Sequence, residues 1–160
     1  METNFPEKIY TLEDASLARS AIEKGYRHRL RVDGSPDFRE KTERALSLIK
    51  AAGYYDILRA YVKRIVEVDG FSQLREVDSE IWANEYTVRD TVEAAGFLIQ
   101  KAWQMKMHLQ GEQYYTNIGE RDAVNKRLEF LEALANNSRD PSVKEECKRK
   151  LKLWDDSKFL

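Results

Sequence analysis

The stretch YYDILRAYVKRIVEVDGFSQLREVDSEIWANEY, residues 54–86, decides the fold. In its first half Tyr54, Ile57, Leu58, Tyr61, Val62, Ile65 and Val68 recur at intervals of three and four. That period predicts a helix over 54–68 whose apolar stripe is wide enough for burial on more than one side. Asp69-Gly70 reads as a turn. Residues 72–86 then read as a second helix, with Leu74, Val77, Ile81 and Trp82 facing inward.

Outward from this stretch the punctuation is helical. Thr11 with Asp14 has the form of an N-cap and its third-position acid, and Gly25 is a natural stop, which bounds a helix of about 12–24. Ser35-Pro36-Asp37 combines a capping hydroxyl, a first-turn proline and an acid at the positive end of the dipole. The helix it starts ends at Gly53. Further helices are expected over about 91–109 after Asp90, over 120–135 before Asn136-Asn137-Ser138, and from Asp140-Pro141 to near Trp154. The sum is an all-α chain, a compact irregular bundle of about seven helices in one domain spanning 1–160, with an N-terminal arm at 1–10. The triplet AAG occurs at 51–53 and again at 94–96. That spacing suits paired-helix repeats, so a short helical-hairpin solenoid is the alternative.

One segment departs from the helical pattern. In GYRHRLRVDG, residues 25–34, Arg27, Arg29 and Arg31 alternate with Tyr26, His28, Leu30 and Val32. If 26–32 is extended, the arginines share one face and could follow phosphates or carboxylates. The plainer reading is a basic connector over 26–34 that lays its apolar side on the bundle.

Composition limits the function classes. The 160 residues are 34% charged and 42% hydrophobic, with 7 Gly and 3 Pro, as in a folded rather than a disordered chain. A net charge of −1 supplies no global field for nucleic acid or an anionic membrane, so any such contact must be local. No run approaches the length of a membrane span, and the N-terminus lacks the apolar core of a signal peptide. The single cysteine, Cys147, fits a reducing, cytoplasmic setting. No phosphate-binding glycine loop, paired-cysteine site or His-Glu-x-x-His is present, and neither a cofactor nor a metal is expected.

Charges on apolar faces are the remaining chemical signal. On a helix over 72–86, Asp78 and Glu85 would lie two turns apart within the inward stripe. They would pair with Arg64 or Arg127 as internal ion pairs, or form a carboxylate site for an enzyme. On 91–109 the apolar arc is very wide and contains Gly96, a position for close helix approach. Phe97 points to the opposite, polar side among Glu93, Gln100, Lys101 and Gln104. Phe97, Trp103 and Met107 therefore mark a contact surface. The expectation is a non-catalytic protein-interaction domain that partners itself or another protein, not a membrane, as a homo-oligomer. Phosphate or nucleic-acid binding through Arg27, Arg29 and Arg31, and an enzyme using Asp78 and Glu85, are the alternatives.

Overall fold

A computed structural model describes residues 5–157; residues 1–4 of the expected N-terminal arm lie outside the described residues. The elements are α1 (Leu12–Glu23), β1 (Arg31–Asp33), α2 (Pro36–Ala51), α3 (Tyr55–Tyr61), β2 (Arg64–Glu67), β3 (Gln73–Arg75), β4 (Glu80–Ala83), α4 (Thr91–Leu109), α5 (Asn117–Asn137) and α6 (Pro141–Ser157). The all-α expectation fails, and with it the seven-helix bundle and the hairpin solenoid. Among the described residues the chain combines six helices with a four-stranded mixed sheet.

The order in the sheet is β1-β2-β4-β3. β1 and β2 run parallel with Val32 opposite Ile65, and β2 and β4 run parallel with Ile65 opposite Ile81. β3 is antiparallel to β4 and forms the edge. The expected helix over 54–68 is thus α3 followed by β2. Helix ends at Tyr61 because Val62 turns extended, at φ −125° and ψ 122°. Val62, Ile65, Val66 and Val68 are β-branched, and their stiff side chains fit a pleated surface better than a helix turn. Ile65 is fully buried at the middle of the sheet. The rest of β2 is half-buried, so the strand shows no strict alternation and its apolar residues continued the helical stripe by coincidence.

The second expected helix, 72–86, is instead the β3–β4 hairpin. Its turn is closed by the Asp78 and Ser79 amides donating to the carbonyls of Arg75 and Glu76. Ser79 is fully buried with φ +54°, a left-handed position usually given to glycine. The segment 26–32 is extended at its end alone: Arg31–Asp33 is strand, and β2 is its partner.

The capping signals do start helices. Thr11 and Asp14 form a reciprocal capping box, and Ser35, Asp90 and Thr116 accept from the amides of Phe38, Glu93 and Gly119. α4 is the central element: it touches every other helix and β3. Its wide apolar arc, with Ala95, Ile99, Ala102 and Met105 fully buried, is covered inside the chain. At Gly96 the close approach comes from α5, where Arg127 Nε lies 2.8 Å from the place a Cβ would occupy.

Candidate functional site

Two surface regions gather polar side chains from distant parts of the chain. The first is a groove of about 390 Å³ between β3, α4 and the loop that leads into α5. β3 and its flanks contribute Ser72, Gln73, Leu74 and Glu76, α4 contributes Lys101 and Gln104, and Tyr114, Tyr115 and Glu120 close the far side. Among the described residues, the backbone of Gln73 and Leu74 has no backbone partner other than β4, so the outer edge of β3 is open.

The groove is built from inside. Gly119 is buried because a Cβ there would meet the Gln113 carbonyl oxygen at 2.4 Å and Tyr114 Cα at 2.6 Å, so the loop seats directly on α5. Tyr114 then reaches across and donates its hydroxyl to Glu76 Oε2 at 3.0 Å. Burial, reinforced by the Glu76 charge, pushes the Tyr114 phenol up to about 12, so it stays a donor at neutral pH. Burial also lowers Lys101, helped by the Arg127 charge and opposed by Glu120. Gln104 is 6% exposed, and its Oε1 has no hydrogen-bond partner. The surroundings are apolar and wet together: Phe71 is 89% exposed, Tyr115 67% and Ile118 80%.

The second region is a pocket of about 470 Å³ where the parallel strands begin. Its lining includes His28, Arg29, Arg31, Lys63, Arg64, Asp78 and Glu80. Arg64 donates to Glu80 and pairs with Asp33 at 3.0 Å, while Lys8 and Asp78 form an ion pair. Arg29 and Arg31 have no ion-pair partner among the described residues.

The residues singled out from the sequence are dispersed by this geometry. Arg27 leaves Arg29 and Arg31: it pairs with Asp56 at 3.0 Å and donates to the carbonyls of Ile22 and Tyr26. Asp78 sits in the β3–β4 turn and Glu85 is exposed just after β4, so the two flank that strand instead of sharing a helix face. Arg127 is buried at 7% exposure but pairs with Glu93 at 2.5 Å, beside Lys150, which holds Glu93 at 2.7 Å. Phe97 is half-buried with Lys101 over its ring, Trp103 is half-buried beneath Lys106 and Lys126, and Met107 is 3% exposed.

Glu76, Tyr114, Tyr115 and Glu120 carried no signal in the sequence, because the hairpin that brings Glu76 to Tyr114 was read as helix. Lys101 and Gln104 did stand out as the polar side of an otherwise apolar helix. Among the described residues no group of three or more His, Cys, Asp or Glu is placed to hold a metal ion, and no helix is long and apolar enough to cross a membrane. Compared with known protein families, with curated proteins and with solved structures, the chain matches none.

Proposed function

We propose that this chain is a protein-interaction domain that receives an extended segment of a partner along the outer edge of β3. The observation that carries the reading is the open β3 edge bordering a preformed groove. An edge strand offers unpaired backbone donors and acceptors, and natural proteins shield such edges unless they use them. A peptide added there gains main-chain hydrogen bonds, each worth about 1 kcal/mol net, and places alternate side chains into the groove. Gln104 Oε1 supplies an acceptor still lacking a donor. Glu76 and Glu120 favour a basic side chain, and Tyr115 in the lining, with the exposed Phe71 next in sequence to Ser72, favours an apolar one nearby. The role is recognition and involves no chemical step.

Selection from a displayed library of random peptides, with the full chain as bait, tests this. Enriched sequences are expected to bind with an affinity that falls at least about tenfold when Phe71 and Tyr115 are both changed to Ala, since the two lost apolar contacts exceed 1.4 kcal/mol. Failure to enrich any peptide, or equal binding by the doubly substituted chain, refutes the reading. A second copy of the chain could fill the same edge. Sedimentation showing dimers abolished by the same substitutions would identify the partner segment as β3 itself.

A further inference from the structure

The pocket at the start of the parallel strands is independent of the β3 groove and has a different chemistry. Three parallel strands open there, and their first residues set charges side by side. Arg31 lies directly opposite Arg64 in the strand register. Arg64 is neutralised by Asp33 and Glu80, and Lys8 takes Asp78. The carboxylates of Asp78 and Glu80 are thereby committed. Arg29 and Arg31 remain exposed without ion pairs, and Lys63 Nζ donates to the Glu7 carbonyl at 2.6 Å and lies over the Phe5 ring. Lys63 is held below the ordinary lysine range by burial and by the nearby Lys8 charge. The Glu7, Asp78 and Glu80 carboxylates of the lining offset part of this charge, but none of them forms an ion pair with Arg29, Arg31 or Lys63 among the described residues.

A second observation points the same way. His28 lines the pocket, is 4% exposed, and its Nε2 has no hydrogen-bond partner. Its Nδ1 faces the Tyr26 hydroxyl at 3.3 Å, so the ring is fixed by one nitrogen and leaves the other unused. A buried polar nitrogen without a partner costs free energy unless something meets it.

We propose that this pocket binds a small phosphate-bearing anion, with Arg29 and Arg31 as its principal charge partners and Lys63 as a third cation of the lining. Guanidinium groups grip phosphate oxygens in pairs, and two of them, Arg31 at the start of β1 and Arg29 two residues before it, match one phosphate group or two linked ones. The ligand is small rather than a polynucleotide. Glu7 shares the lining without an ion pair and would repel a continuing chain of phosphates, and the protein as a whole carries a net charge of −1.

Calorimetric titration of the full chain with inorganic pyrophosphate, followed by backbone NMR, tests the assignment. Binding is expected at millimolar concentration or below, with the largest shifts at Arg29–Val32 and Lys63. Both arginine side chains are exposed, so Arg29→Ala/Arg31→Ala should keep its melting temperature and lose at least about tenfold in affinity. Arg29→Lys/Arg31→Lys should restore part of it. No heat and no shifts, shifts confined to another surface, or undiminished binding by the alanine pair would each overturn the proposal. A single-stranded RNA that binds more tightly than pyrophosphate and displaces it would overturn the small-anion assignment. The peptide-binding reading stands or falls separately, because the arginine pair is remote from β3 in the lining of both regions.

Discussion

Changing Gly119 to Ala should spoil the β3 groove far more than it spoils the fold. A Cβ at this position would lie 2.4 Å from the Gln113 carbonyl oxygen, 2.6 Å from Tyr114 Cα and 2.7 Å from Tyr114 C. Non-bonded heavy atoms settle at about 3.5 Å, so the loop must back away by roughly 1 Å. All three neighbours are backbone, and no rotamer change can relieve the clash. Such overpacking costs roughly 1–3 kcal/mol. Alanine returns about 1 kcal/mol through its higher helix propensity, somewhat less in a first turn. The net loss should be about 1 kcal/mol, which lowers the melting temperature by about 2–4 °C in a chain of this size. The same displacement breaks the Tyr114 hydroxyl contact to Glu76, now 3.0 Å, and moves Tyr115. Far-UV circular dichroism melting and the affinity for a selected peptide, measured on the same samples, separate the two effects. Peptide affinity should fall at least about tenfold, beyond what the small change in folded population explains. A variant that melts at or above the parent temperature and binds peptide normally would refute the packing argument and the loop's part in the groove.

Two further predictions concern buried titratable groups. His28 is pushed down to about 4, first by burial and then by the Lys63 and Arg59 charges, so the folded state favours the neutral ring. The unfolded chain takes up the proton near pH 6.5, so this stabilisation is whole above that pH and shrinks as pH falls toward 4. Between pH 7 and pH 5 it should account for a loss of about 2 kcal/mol in urea unfolding, a slope that His28→Gln flattens. An unchanged slope in that variant would contradict it. Cys147 is fully buried, and burial, with a smaller contribution from Glu146, raises its thiol to about 11. The native protein should resist a thiol reagent at pH 8 and react completely in guanidinium; rapid native labelling would show α6 to be loosely held.

The helix starts were legible because each is local. Thr11, Ser35 and Asp90 cap amides only three residues away, and Pro36 and Pro141 occupy first-turn positions. The sheet was not legible, for a reason specific to where it lies. Tyr54, Ile57, Leu58 and Tyr61 are a true helical stripe, and Val62, Ile65 and Val68 extend it in register although the chain has become a strand. β-branching was the one cue against a continued helix. In the hairpin, Ser79 takes the left-handed turn position, so the Asn-Gly or Asp-Gly signal of a tight turn was missing there. The sites followed suit. Arg27, Arg29 and Arg31 were conspicuous as a basic run, but Arg27 pairs elsewhere, with Asp56, and Lys63, which joins the other two, lay in a supposed helix. The pairing of Asp78 with Glu85 depended wholly on that helix and disappeared with it.

The most direct test of the account is amide hydrogen exchange of the full chain with and without a selected peptide. Pairing along the edge predicts slowed exchange at residues of the Gln73–Arg75 strand, with chemical-shift changes at Lys101, Gln104 and Tyr115. A bound peptide that protects another surface and leaves Gln73–Arg75 exchanging as before would contradict it.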